Sequence, residues 1–442
     1  MQDHTSPSSL DNAIALQKYG VGQPVRRKED DTLVRGKGKY TDDFSLPSQA
    51  YAWMVRSSHA HGTIKAIGTA AAKGMPGVLG VWTGADMAAA NYNPFTCGLP
   101  LKSRDGSPLL QTNRLALTSD RVRFVGDPVA FVVAETLAQA RDAAEAVELD
   151  IEPLPAVTNA AEAAKPGAPQ LYDHIPNNVA LDYHYGDTAK IDAAFAGAAH
   201  VTELDIVNTR VAVVSMEPRV ALAAFDKKTE RYTLQVPTQG VSGNKVTLAK
   251  ILNVANDKVR ILSANVGGSF GMKNVNYPEY TCILHAAKLL GRPVKWTDER
   301  STSFLTDSHG RGQLIHAELA LDAEGKFLAV RLSGYGNLGA YITGVAPGPL
   351  SLNTGKNLAS VYRTPLLGVD IKTVLTNTTL MGAYRGAGRP EANYYMERLI
   401  DRAADEMGIS PLTLRKRNFI KPAQPASPQP LVPSGLDFAG EG

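Results

Sequence analysis

Apolar and polar positions along this chain repeat with two different periods, and the switches between them mark its elements. Ala50–Arg56 (AYAWMVR) and Gly77–Trp82 (GVLGVW) read as short strands, with a helix candidate at Thr69–Lys73 and a turn at Met75-Pro76-Gly77 between them. Arg121–Ala134 reads as two strands around a Gly126-Asp127-Pro128 turn. Glu135–Glu148 is Ala-rich with apolar residues at helical spacing, and Val147–Ile151 and Pro153–Val157 close the unit. Asn159–Gly167 (NAAEAAKPG) reads as a linker.

A second mixed region starts near Val179. Val211–Phe225 and Tyr232–Val236 look like paired strands, Ser242–Leu252 a helix, and Lys258–Ser263 a strand. Glu279–Leu290 has the pattern of an amphipathic helix, with Gly291 placed to cap it, and Pro293–Thr297 is a strand. Gln313–Leu321 and Phe327–Gly336 alternate around Asp322–Gly325 as a hairpin; Glu391–Met407 and Pro411–Asn418 are helices. The expected organisation is a polar arm (1–30), a small domain (31–165), a larger domain (175–421) and a Pro-rich tail (422–442), in an α+β fold.

Composition narrows the function. With 442 residues, 44% hydrophobic and 20% charged, the chain is an ordinary globular protein long enough for a large core. A net charge of +3 is too small for a nucleic-acid footprint, and no apolar run approaches the length of a membrane span. Cys97 and Cys282 alone make no disulfide framework and cannot hold an iron–sulfur cluster, so any cluster belongs to another chain. The N-terminal residues lack a charged stretch followed by an apolar one, which predicts a cytoplasmic protein.

Three loops could carry chemistry. In Val266-Gly267-Gly268-Ser269-Phe270-Gly271-Met272-Lys273, glycines let the backbone approach a ligand, yet the spacing is neither that of a Walker loop nor of a dinucleotide fingerprint; a tight turn is the simpler reading. Gly382-Ala383-Tyr384-Arg385-Gly386-Ala387-Gly388-Arg389-Pro390-Glu391 opens a helix with glycines and two arginines, equally an anion site or a capped helix start. Gln239, in Pro237-Thr238-Gln239-Gly240, could offer an amide to an oxo group or simply cap a helix. His59 and His61 lack a third metal ligand nearby and read as structural.

Together and in this order these loops resemble the molybdenum hydroxylase family of xanthine dehydrogenases, aldehyde oxidases and aerobic carbon monoxide dehydrogenases. The resemblance runs from about residue 20 to 421. GKGKYTDDF, SSHAHGTIKAI and RFVGDPVAFVVAET are similar to the family's a/b hammerhead domain. VPTQ, VGGSFGMK, GRPVKW, GAYRGAGRPE and RKRNFI are similar to its first molybdopterin-binding domain.

The resemblance implies that Gln239, Gly267, Gly268, Phe270, Gly271 and Arg385 bind a molybdenum–molybdopterin cofactor, bare or as its cytosine dinucleotide, with no direct protein ligand to the metal. It implies that Asn274, Gly386 and Ala387 face the substrate. Gly386 stands where the carbon monoxide enzymes carry a copper-binding Cys, which argues against that substrate. Asn274 and Ala387 replace a Glu and a Phe of the purine enzymes, which argues against xanthine and leaves an aldehyde or another N-heterocycle. The family continues into a second molybdopterin-binding domain that carries the general-base Glu. No catalytic residue is therefore expected on this chain, and Glu279, Glu391 and Glu397 are not assigned that role. The implied partners are a chain with that second domain, a [2Fe-2S] small subunit and an FAD medium subunit; a truncated, inactive cofactor-holding fragment is the alternative.

Overall fold

The computed structural model describes residues 26–420, so the polar arm up to residue 25 and the Pro-rich tail lie outside the described residues. Three sheets organise the chain. The strands in chain order are β1 Ala50–Arg56, β2 Gly62–Gly68, β3 Val78–Thr83, β4 Arg121–Val122, β5 Pro128–Ala134, β6 Glu148–Pro153, β7 Val179–Tyr185, β8 His200–Asn208, β9 Val220–Asp226, β10 Arg231–Gln235, β11 Val259–Leu262, β12 Val294–Thr297, β13 Gln313–Leu321, β14 Phe327–Gly339 and β15 Leu366–Leu375. The helices that matter below are α1 Leu137–Glu145, α2 Thr188–Ala196, α3 Val241–Leu252, α4 Pro278–Leu290, α5 Arg389–Met407 and α6 Pro411–Asn418.

The seven-stranded sheet runs β11-β10-β9-β12-β1-β5-β3. It crosses the boundary between the two expected domains: β1 pairs in parallel with β12 through Ala50 and Val294, and antiparallel with β5. The core beneath it mixes both regions, with Ala50, Leu117 and Phe131 packed with Leu234, Ile283 and Trp296. The first region keeps one small sheet of its own, β4-β2-β6, while its strands β1, β5 and β3 extend the sheet of the second region. The five-stranded sheet, β7-β15-β14-β13-β8, belongs to the second region alone, with α5 packed against β8 and β13 and α2 against β14 and β15.

Local chemistry fixes the element ends. The helix expected at 135–148 is shorter, because Thr136 and Gln139 form a reciprocal capping box that starts α1 at Leu137, and the chain turns into β6 at Glu148. β4 and β5 flank the Gly126–Pro128 turn as expected but do not pair; they enter different sheets. The expected linker is structured: Ala160–Ala163 is a helical turn capped by Asn159 and buried against Val374. In the stretch expected as strand from Val211, regular pairing starts only at Val220, because Val214 adopts φ 47° and Pro218 lacks an N–H for a ladder.

α4 departs from its amphipathic reading. Pro278 begins it and Gly291, in the left-handed conformation, ends it, but every residue from Pro278 to Ala287 is buried, Glu279 included. Cys97 and Cys282 are both buried and unpaired, and burial pushes both thiols up. Among the described residues no helix is long and apolar enough to cross a membrane.

Candidate functional site

The three sequence loops meet on one face. β10 runs out at Gln235 and the chain passes through Thr238 and Gln239 into α3, whose first residue follows Gly240. Thr238 donates its hydroxyl to the Lys273 carbonyl at 2.9 Å, tying this loop to the Gly-rich loop. The Gln239 Oε1 accepts from the Ser269 hydroxyl at 2.6 Å and from the Gly271 N–H at 3.0 Å. Two donors on the oxygen fix which end of the amide is which, so Nε2 is left as an exposed donor.

The third loop packs on the second. The Arg385 N–H donates to the Phe270 carbonyl at 2.9 Å, and the Arg385 guanidinium lies 5.8 Å from the Phe270 ring centroid. Gly271 has φ +99°, and a Cβ there would overlap the carbonyl oxygen of Ala383. Phe270 itself has φ 50°, a strained setting that turns its ring outward, where it is 42% exposed. Among the described residues the Arg385 side chain makes no ion pair and no hydrogen bond, so the face presents a free cation.

Two buried ion pairs brace these loops from behind. Glu217 holds both ends of the Gly-rich loop: its Oε2 accepts from the Gly267 N–H at 2.8 Å and from the Lys273 ammonium at 2.9 Å. Lys273 also donates to the Glu217 carbonyl at 2.7 Å, its side chain is fully buried, and burial lowers its pKa against the pull of Glu217. Lys273 therefore points inward and offers nothing to a ligand. In the third loop, Arg311 bridges the Glu391 carboxylate at 2.9 Å and the Arg385 carbonyl at 3.0 Å, while Glu391 caps its own helix by accepting from the Gly388 N–H at 2.8 Å.

A larger network lies deeper. Arg219, with no exposed side-chain surface, contacts Glu279 at 3.0 Å, Asp298 at 3.3 Å and Asp307 at 2.5 Å, and stacks 4.0 Å from the Tyr277 ring centroid. Arg56 of β1 reaches Glu279 at 2.7 Å, so the network crosses between the two regions. Burial alone would raise the Glu279 carboxyl, but Arg219 and Arg56 overcome it and hold it at about 2. Glu397 bonds Tyr362 and Arg415. Glu279, Glu391 and Glu397 each have an arginine partner and none lines the cavity described next.

Beside the loop face lies a cavity of about 360 Å³. Phe95 and Leu99 of the first region, Asn244 and Thr247 of α3, Gly271, Asn274 and Ala383 of the loops, and Thr343–Val345 line it. Of the three residues expected to face substrate, only Asn274 lies on this cavity. Gly386 and Ala387 do not: both have positive φ, and the Ala387 carbonyl accepts from Asn353 at 2.9 Å, which turns the segment toward the start of α5. Glu217 and Arg219 escaped the sequence reading, although an acid and a base set in the apolar run VVSMEPRVALAAF are a visible anomaly. His61 is structural, its Nδ1 within 2.7 Å of the Pro155 carbonyl; among the described residues no cluster of three metal-ligating side chains occurs.

Comparison with known proteins decides the family. Residues 171–419 match the molybdopterin cofactor-binding domain, and residues 35–155 the aldehyde oxidase and xanthine dehydrogenase a/b hammerhead domain. The chain belongs to the molybdenum hydroxylase family. Its fold is that family's hammerhead domain followed by a molybdopterin-binding domain, α+β throughout.

Among similar hydroxylases, the gamma subunit of the 6-hydroxypseudooxynicotine dehydrogenase complex of Paenarthrobacter nicotinovorans is 35% identical over 95% of this chain and 52% of its own length. The crystal structure of quinoline 2-oxidoreductase from Pseudomonas putida 86 superposes with a TM-score of 0.84 at 33% identity, over 92% of this chain and 51% of that one. The chain thus spans about half the length of these relatives. The nicotinate dehydrogenase large molybdopterin subunit of Eubacterium barkeri, 28% identical, is matched over 86% of its own length.

Proposed function

We propose that this chain is the cofactor-holding part of a molybdenum hydroxylase that inserts water oxygen into a C–H bond of an aldehyde or N-heterocycle and passes the electrons to [2Fe-2S] and FAD on partner subunits. The observation that carries this reading is the donor set on one face. Gln239 presents its amide N–H outward, Arg385 presents an unpaired guanidinium, and the nearby acids Glu217 and Glu391 are consumed by Lys273 and Arg311.

A dianionic pterin dithiolene phosphate, bare or as its cytosine dinucleotide, suits a face of free donors and one free cation. When bound, that group supplies the metal that accepts the electrons. In this reading Gln239 would offer its amide N–H to the bound group, Gly267, Gly268, Phe270 and Gly271 would shape the wall beside it, and Arg385 would balance its charge. Asn274 contacts substrate.

No Asp or Glu lines the cavity, so we place the general base on a second molybdopterin-binding domain outside the described residues. A family subunit of about this chain's length, the Eubacterium barkeri protein, supports a partner chain as its source. Two buried, unpaired thiols fit a reducing cytoplasm. Gly386 has no side chain to hold copper, which speaks against carbon monoxide as substrate.

Arg385→Ala tests the reading. In the complex purified through this chain, molybdenum per chain should fall several-fold with the melting temperature unchanged, because among the described residues the Arg385 side chain makes no hydrogen bond or ion pair and its backbone bonds survive the substitution. Unchanged molybdenum and unchanged activity would overturn the assignment.

A further inference from the structure

The cavity beside Gln239 has a property that narrows the substrate further. None of its lining residues carries a charge; its polar groups are the hydroxyls of Thr96, Thr247 and Thr343 and the amides of Asn244, Asn274 and Asn276. Two of those amides are already engaged: Asn244 donates to the Thr238 hydroxyl at 2.5 Å and Asn276 to the Asn244 carbonyl at 3.0 Å. Asn274 is exposed, and its side chain makes no hydrogen bond among the described residues, so it is the one amide on the wall with both ends unengaged.

The remaining wall is apolar or bare. Phe95, Leu99, Val275, Val345 and Ala383 supply hydrocarbon, and Gly98 and Gly243 leave open space, since a Cβ at either would meet no atom within 4 Å. The neighbouring charges are spoken for: Lys273 by Glu217, Arg311 by Glu391, and the exposed Arg385, which does not line the cavity, by the cofactor's own charge in the proposed function. The one electrostatic bias is the N-terminus of α3, where Gly240 caps without a side chain. A helix end offers a fraction of a charge, which suits the lone pair of a carbonyl oxygen or ring nitrogen but does not balance a full carboxylate.

We infer that the cavity selects uncharged, largely apolar substrates and turns away those bearing a carboxylate or an ammonium group. The volume, at the small end of the roughly 300–1,000 Å³ typical of ligand sites, fits a compact aromatic aldehyde or N-heterocycle. This rests on the proposed function, in that the cavity is taken as the approach to the cofactor. The selectivity itself follows from desolvation: a charge entering here loses water and meets no charged group of this chain on the wall, whereas a neutral ring loses little and meets Asn274.

The experiment uses the complex purified through this chain. Dissociation constants are measured by equilibrium dialysis for quinoline against quinoline-6-carboxylate, and for benzaldehyde against 4-formylbenzoate and 4-(trimethylammonio)benzaldehyde; turnover is followed separately by dye reduction. The neutral member of each set should bind at least about tenfold more tightly. Gly243→Lys, which places an ammonium in open space on the cavity wall, should shift the preference toward the carboxylates by roughly tenfold. Equal binding of charged and neutral probes, or no binding of any probe, would overturn the inference. Neutral-selective binding with no turnover of either class would leave the inference standing and remove the proposed reaction. Turnover that favours the charged probes would do the reverse.

Discussion

Replacing Arg219 by Met should destabilise the protein by about 3–5 kcal/mol, the usual consequence of removing one partner from a buried ion cluster. Arg219 is fully buried and faces Glu279, Asp298 and Asp307 together. Without it Glu279 keeps Arg56, while buried Asp298 and Asp307 lose the cation they pair with. The effect is read as a fall in the urea midpoint of the purified complex, or as failure to accumulate; a midpoint within the roughly 0.5 kcal/mol typical of surface changes would contradict it.

The same cluster sets a pH dependence. Glu279 sits at about 2 in the folded chain against an ordinary 4.5, so its contribution is fully present above about pH 4.5 and is lost as the pH falls toward 2. Asp298, pushed up by burial, contributes with the opposite sign. The clean test is therefore a comparison of the parent with Glu279→Gln: the variant should lose less of its stability as acid is added below pH 4.5. An unchanged acid limb would show that Glu279 is not held ionised.

Gly271→Val should release the cofactor while leaving the chain folded. Gly271 has φ +99°, where a β-branched residue is strained by about 1–3 kcal/mol, and its Cβ would push into the Ala383 carbonyl. That strain falls at the seam where the Gln239 amide, the Gly-rich loop and the Arg385 loop lock together. Cofactor retention should weaken at least roughly tenfold, read as molybdenum per chain after dialysis. Retention equal to the parent would mean that the seam does not shape the binding face.

Most elements were legible because their periods are local. The hairpin of β13 and β14, the helices α3, α5 and α6, and the loops around Gln239, Phe270 and Arg385 all lie where the alternation, caps and glycines put them. What the sequence could not show is pairing between distant segments. β1 joins β12 across more than two hundred residues, and that single parallel contact fuses two expected domains into one sheet. α4 misled for a related reason: its polar face is buried, and Glu279 is tolerated there only because Arg56 and Arg219 arrive from elsewhere. Nor does the motif show that Glu217, fifty-six residues earlier, pulls Lys273 inward. Gly386 and Ala387 do not line this cavity, because their positive-φ backbone and the bond to Asn353 turn that segment toward α5.

The central claim is that this face holds a molybdenum–pterin group. The most direct measurement is molybdenum and pterin content of the native complex captured through this chain, by elemental analysis and fluorescence of the oxidised pterin. The account predicts about one molybdenum and one pterin per chain, both reduced together in Arg385→Ala and Gly271→Val. A complex devoid of both in molybdenum-replete cells would contradict it.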